Sequence, residues 1–259
     1  MVDRSVAHAM VAWAGIDGSD VLEIGPGRGA LTDLLVARAR RLYLVEIDPQ
    51  LFGELEARYA DCDNVTLVHG DVLDIDLSSL LDRPVHVVSS LPYESGTAIV
   101  QRLLDEAALA EEIVVMLQRE VCERMTAVGG KQFGPLSVHV QLSADTELGR
   151  VVGPAAFHPR PKVESRLLRL RTLACPRYEV GDRRHFDAVV RVAFAGRRKM
   201  LRNTLGEWLE GRLGKAAAEA VFAAAGVEAS ARPETIGLEG FARISREAYQ
   251  FHYNRARTT

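Results

Sequence analysis

Five short, uninterrupted apolar runs recur at a regular interval through the first 120 residues: Val21–Ile24, Leu42–Ile47, Val65–Val68, Val85–Val88 and Ile113–Leu117. Between them lie segments with three- and four-residue apolar spacing: Ala30–Ala39, Gln50–Tyr59 and Thr97–Leu104. Continuous rather than alternating runs belong to strands buried on both faces. Strands and helices in this alternation form right-handed βαβ units around a parallel sheet. Leu136–Leu142, after Gly129-Gly130, reads equally as strand or helix. Val151–Val152 and Leu167–Leu170 read as two more short strands flanking the proline-rich stretch Phe157–Val163. Beyond Pro176 the period is helical only. Phe186–Phe194, Leu201–Leu209, Ala216–Ala225 and Leu238–Tyr249 are punctuated by Gly211, Gly226 and Pro233. The pattern predicts an α/β domain over residues 1–175 and a smaller all-helical domain over residues 176–259.

No apolar run approaches the roughly 20 residues that span a bilayer. The opening Met1–Ala7 carries Asp3 and Arg4 instead of the basic-then-apolar order of a secretory signal. Cys62, Cys122 and Cys175 are few and dispersed, which argues against a disulfide framework or a zinc site and for a reducing cytoplasm. His69, His139 and His158 are scattered, so no metal is expected. Charge is more informative once divided along the chain. Residues 1–149 hold 11 Lys/Arg against 24 Asp/Glu, a net of −13, whereas residues 150–215 hold 16 against 6, a net of +10. One reading is a solvated basic face; the other is an acidic catalytic half joined to a segment that tracks a phosphate backbone.

Two constellations carry chemistry. The first is Val21-Leu22-Glu23-Ile24-Gly25-Pro26-Gly27-Arg28-Gly29, a glycine-rich turn between the first strand and the first helix of the alternating region. Glycines there permit a sharp turn and close approach to a ligand. The second strand ends in Glu46-Ile47-Asp48, which puts a carboxylate at the sheet's carboxyl edge, where a ribose diol can donate to it. The third ends in His69-Gly70-Asp71, a second acidic tip. Together they favour a nucleoside site. The G-x-G-x-G spacing differs from the G-x-G-x-x-G pyrophosphate fingerprint, which leaves a dehydrogenase as the weaker reading. The turn resembles the S-adenosylmethionine site of class I methyltransferases, whose ligand has no phosphates.

The second constellation is Ser90-Leu91-Pro92-Tyr93 at the end of the fourth strand. Proline ends the ladder and sends Tyr93 beyond the sheet edge. Adenine N6 is a poor nucleophile because its lone pair is delocalised into the ring. A side-chain oxygen at Ser90 and the Pro92 carbonyl, accepting its two N–H groups, would favour the reactive pyramidal amine. Tyr93 offers a face for an extruded base.

The segments E-I-G-P-G-x-G-A-L-T, V-E-I-D, G-D-x-L, x-L-P-Y, F-x-P-x-P-K-V-x-S and A-F-x-x-R-R-K-x-L-R-N occur in one order from Val21 to Asn203, and E-T-I-G-L-E-G-F-A-R follows. In them the chain resembles the ribosomal RNA adenine N6,N6-dimethyltransferase family of the small subunit. The resemblance implies a Rossmann-like class I methyltransferase sheet with a C-terminal helical domain. It implies cofactor contacts at Gly25, Glu46, Asp71 and Ser90, with Glu23, Gly27, Gly29, Ile47 and Val72 beside them. It places Ser90, Leu91, Pro92 and Tyr93 at the target base, with Phe157 as a second stacking face. Arg160 and Lys162 beside Phe157, and Arg197, Arg198, Lys199 and Arg202 at the opening of a later helix, are the expected RNA contacts. The family has Asn where this chain has Ser90, and a G-Q-x-F-L segment over the cofactor that Met1-Val2-Asp3 stands just inside. The implied function is S-adenosylmethionine-dependent dimethylation of adenine in small-subunit rRNA within an assembling ribosomal subunit, by a cytoplasmic monomer. The alternatives are an assembly factor of the same fold that methylates weakly or not at all, the large-subunit methyltransferases of erythromycin resistance, and a small-molecule methyltransferase, which leaves the basic segment unexplained.

Overall fold

The computed structural model describes residues 3–196 and 198–256, the last five by backbone alone. Elements alternate through the first half: α1 (Arg4–Ala14), β1 (Asp20–Ile24), α2 (Thr32–Leu35), β2 (Arg41–Glu46), α3 (Pro49–Arg58), β3 (Val65–His69), α4 (Leu77–Leu80), β4 (Val85–Ser90), α5 (Gly96–Asp105) and β5 (Ala110–Gln118). There follow α6 (Arg119–Thr126), α7 (Pro135–Ser143), β6 (Ala144–Val152) and β7 (Ser165–Thr172). The chain then continues only in helices: α8 (Arg183–Ala193), α9 (Leu205–Leu213), α10 (Lys215–Ala225) and α11 (Gly237–Ala256).

The described strands form a seven-stranded sheet in the order β3-β2-β1-β4-β5-β7-β6, with β7 antiparallel to both neighbours and the other pairings parallel. The chain winds outward from β1 through β2 and β3, then returns to β4 on the other side. That reversal leaves a crevice at the carboxyl ends of β1 and β4, where ligands bind in open α/β sheets. Pairing of β1 with β4 covers only Val21 and Leu22. Further along, the Ile24 N–H donates to the buried Ser89 Oγ at 2.7 Å, a side chain standing in for the missing ladder acceptor.

Two compact units result. One comprises the chain to Glu123 together with Ser143–Cys175, and the other Arg124–Leu142 together with the chain from Pro176. The division expected at 175/176 keeps Arg124–Leu142 in the first domain, and the structure moves that segment to the second. Leu136–Leu142 is helical, and Phe133, Val138 and Leu142 share one apolar core with Val180, Phe186, Leu205 and Phe241. Helix α1 lies outside the predicted elements, yet its sequence carries the marks of one. Asp3 caps the Ser5 N–H at 2.8 Å, Gly15 ends the helix in the left-handed conformation, and Val6, Met10 and Val11 bury one face.

Two helical expectations are corrected. Ala30–Ala39 contains only the four-residue α2. Leu201–Leu209 is not one helix: Leu201–Asn203 is a single 3-10 turn and α9 starts at Leu205. There the Leu201 and Arg202 N–H groups donate to Ala231 and Ala229 carbonyls instead of into a helix.

Candidate active site

The turn after β1 is built before any ligand arrives. Gly25, Gly27 and Gly29 all have positive φ, the region glycine enters without cost. Gly25 N–H donates to the Val45 carbonyl, which ties the turn to β2. Glu46, only 3% exposed, spends both carboxylate oxygens on backbone: Oε2 accepts from Gly27 N–H and Oε1 from Asp48 N–H, each at 3.0 Å. Each oxygen keeps a second lone pair for a ligand hydroxyl. Gly29 serves packing: a Cβ there would come within 2.7 Å of the Tyr59 hydroxyl, which donates to Asp33.

Beside this turn lies a cavity of about 600 Å³ whose lining includes Glu23, Gly25, Gly27, Arg28, Asp48, Glu54, Ser90 and His158. Glu23 is 2% exposed and accepts from the Thr32 hydroxyl at 2.7 Å. Burial pushes its carboxyl up to about 8; the Thr32 hydrogen bond opposes the shift and nearby Glu46 adds to it. Two carboxylates in the wall, Asp48 and Glu54, stand against one cation, Arg28, and the loop leads into a helix of only four residues, which makes a weak anion site. These features weigh against the dinucleotide reading. A ligand with cationic groups and hydroxyl donors suits the wall.

Gly29, Glu46, Ile47, Asp71 and Val72 are not part of this lining, although Glu46 bonds to the lining residues Gly27 and Asp48. Ile47 stands 60% exposed at the sheet edge, Val72 is buried, and Asp71 Oδ1 accepts from Leu73 N–H at 2.8 Å to shape its own turn. Arg102, absent from the sequence-based set, donates to the Val72 and Ile75 carbonyls and pairs with Glu106, which pins that turn from α5. Ser89 is also absent from that set. Its signal, a serine inside an apolar strand, is too weak to distinguish from its neighbour Ser90.

A second hollow, about 180 Å³, is lined by Ser90, Leu91, Pro92, Tyr93, Phe157, Pro159 and Pro161. Both aromatic side chains expected at the target base therefore line one hollow. Ser90 and Pro159 belong to both cavities. No hydrogen bond within the described residues engages Ser90 Oγ. The Pro92 carbonyl, expected to accept from the base, already accepts from Gly96 N–H at 2.8 Å, opening α5, and keeps one lone pair. The Leu91 carbonyl has no such partner among the described residues.

Against this geometry, the profile of the family described as ribosomal RNA adenine dimethylase matches residues 1–242. The chain belongs to that family. Among relatives of this dimethylase, the Ribosomal RNA small subunit methyltransferase A of Geobacter sulfurreducens is 41% identical over 95% of this chain and 91% of its own. The protein of that name from Syntrophotalea carbinolica is 42% identical over 94% and 91%. The fold matches the crystal structure of a dimethyladenosine transferase from Plasmodium falciparum, with a TM-score of 0.83, 21% identity, and coverage of 97% of this chain and 98% of that one. It also matches the 23S rRNA methyltransferase ErmE, with a TM-score of 0.72, 27% identity, and coverage of 96% and 98%. Both share the fold of this chain, a Rossmann-like sheet with a helical C-terminal part.

Of the residues expected to meet RNA, Arg160 and Lys162 are exposed in the first unit, and Arg198, Lys199 and Arg202 are exposed in the second. None of the five has an ion pair among the described residues. Arg197 lies outside the described residues. Arg198 and Lys199 occupy a loop rather than a helix, with Lys199 N–H closing a turn onto the Gly196 carbonyl. No described helix is long and apolar enough to cross a membrane, and no cluster of three metal-ligating side chains occurs among the described residues.

Proposed function

We propose that this chain dimethylates adenine N6 in small-subunit ribosomal RNA, on an assembling subunit in the cytoplasm, with S-adenosylmethionine as methyl donor. One observation carries the reading: Ser90, at the end of β4, is part of both the acidic 600 Å³ cavity and the aromatic 180 Å³ hollow. A methyl donor and an acceptor base held in the two would meet at that residue. The relatives named small subunit methyltransferase A, at about 40% identity over most of the chain, support the substrate.

The larger cavity fits the donor. Its volume is within the usual range for small-molecule sites, and Glu46, bonded to the lining residues Gly27 and Asp48, is the buried carboxylate next to it that a ribose diol would reach. Asp48 and Glu54 line the cavity and suit ammonium and sulfonium charge, while Glu23, protonated below about 8, offers a neutral carboxyl. When bound, S-adenosylmethionine supplies an electrophilic methyl group on sulfur. The chain's own part is alignment and charge control. Gly25–Gly29 and Glu46 hold one partner, while Tyr93 and Phe157 hold the base between aromatic faces. Ser90 Oγ and a backbone carbonyl, Leu91 or Pro92, accept the two N6 protons, which keeps the lone pair on nitrogen available for attack. Phe157 lines the base hollow, Arg160 and Lys162 are the sequence neighbours of its lining residues Pro159 and Pro161, and Arg198, Lys199 and Arg202 add cationic charge for phosphates of the folded RNA.

Incorporation of labelled methyl into immature small ribosomal subunits tests the reading directly. Dimethyladenine in the digested RNA is expected. Binding of both subunit and cofactor without any transfer would replace this reading with that of an assembly factor.

A further inference from the structure

The helical unit holds a hollow of its own, about 430 Å³, between the end of α8 and the start of α9. Val192, Ala195 and Trp208 supply apolar wall, and Lys199, Asn203 and Glu207 supply polar groups. Arg212 stacks on Trp208 with its guanidinium carbon 3.9 Å from the ring centroid, so the indole is held in place from one side. The side chains of Lys199, Asn203 and Glu207 make no hydrogen bond or ion pair among the described residues. Nothing in the described fold uses them. A free anion is a poor occupant, because Glu207 opposes it. An amide and a carboxylate together present acceptors to an exocyclic amine, as Asn does for adenine N6 and Glu for cytosine N4. The planar wall and the neighbouring cations Arg198 and Arg202 suit a nucleotide attached to a backbone.

We propose that this hollow is a nucleotide subsite that takes one unpaired, amino-bearing base of the RNA substrate, with Lys199 neutralising its phosphate. The proposal rests on the RNA reading above and adds a sequence preference away from the methylation site. Uracil, which presents a carbonyl where cytosine presents its amine, is discriminated against by Glu207, whose carboxylate only accepts.

The test uses the full chain with Trp13→Phe, which leaves Trp208 as the only one of two tryptophans to report. Hexamers of cytidylate and uridylate are compared because they share size and charge. Quenching of Trp208 is expected with both, and binding of the cytidylate hexamer about fivefold tighter or more. Glu207→Ala should bring that ratio close to one and Asn203→Ala should weaken both hexamers, neither changing S-adenosylmethionine affinity. Lys199→Gln should weaken both hexamers alike and flatten the salt dependence. Absence of quenching, equal binding of the two hexamers, or a preference that survives Glu207→Ala overturns the subsite. Methyl transfer to immature small subunits, measured on the same preparation, separates the two readings. Transfer without a base preference defeats the subsite alone, and a preference without transfer defeats the enzyme reading alone.

Discussion

The Tyr93 hydroxyl lies 2.6 Å from Ser165 Oγ, an interaction that joins the loop after β4 to the first residue of β7, two strands away. Ser165 is fully buried and paired in register with both Gln118 and Val152, so it is a rigid anchor. The aromatic face offered to the target base is thereby fixed by its far end.

Tyr93→Phe and Ser165→Ala each remove this one hydrogen bond. Each should slow single-turnover methyl transfer by roughly two- to tenfold, from a loss of about 0.5–1.5 kcal/mol, and the double variant should be no slower than either. Tyr93→Ala removes the stacking face as well and should cost about 1–3 kcal/mol. Additive effects of the first pair would show that the two hydroxyls act separately.

Glu46 has two jobs, so its loss should show in two measurements. Glu46→Ala removes charge-assisted hydrogen bonds worth about 1.5–3 kcal/mol each, lowering S-adenosylmethionine affinity roughly tenfold or more by calorimetry. Because Gly27 and Asp48 N–H groups also lose their acceptor, the thermal midpoint of the unliganded chain should fall. Unchanged affinity in the variant would take Glu46 out of the cofactor site.

Ser90 reaches less far than the asparagine of the family pattern. Ser90→Asn should raise single-turnover rate on saturating ribosomal substrate, and Ser90→Ala should lower it, by at most about 2.7–4 kcal/mol of transition-state stabilisation. A Ser90→Ala rate equal to the parent would leave a backbone carbonyl as the only acceptor that matters.

Glu23 links stability to pH. Its folded-state value of about 8 stands above the ordinary 4.5, so between those values the folded chain binds more protons than the unfolded one. Stability of the unliganded chain should therefore fall as pH rises from about 5 to 8, by an amount on the order of a few kcal/mol, and level off above. Denaturant midpoints across that range should show the decline in the parent and a flatter profile in Glu23→Gln. A parent midpoint independent of pH would contradict the buried, protonated carboxyl.

Arg198, Lys199 and Arg202 should contribute to the salt dependence of RNA binding. Replacing all three by Gln should reduce the slope of log affinity against log salt by up to about 0.7 for each phosphate left without its cation on single-stranded RNA, or about 0.9 on duplex. Cofactor affinity should stay as it was. An identical slope would make these residues an ordinary solvated face.

Much of this protein is legible from residue order alone. The strands β1, β2, β4 and β5 read as apolar runs because both sheet faces are covered there, whereas the edge strand β3 has no buried residue. The glycine turn and the acidic ends of β2 and β3 are equally local, since φ and strand ends depend on a few neighbours. Residue order does not specify what each group meets at a distance. Glu46 reads as a ligand carboxylate, and only packing shows that Gly27 and Asp48 N–H groups already hold it. Pro92 reads as a backbone acceptor with both lone pairs free, and only the return of α5 shows one of them taken by Gly96 N–H. Leu201–Leu209 has helical spacing, yet its first turn bonds to Ala229 and Ala231 instead. Ser90 joins the two cavities because the topological reversal between β1 and β4 opens the crevice at that strand end. Local pattern determined which elements form and where the chemistry sits along the chain. Tertiary structure decided which hydrogen-bonding groups are already spent and which remain for a ligand, because that depends on partners far apart in sequence.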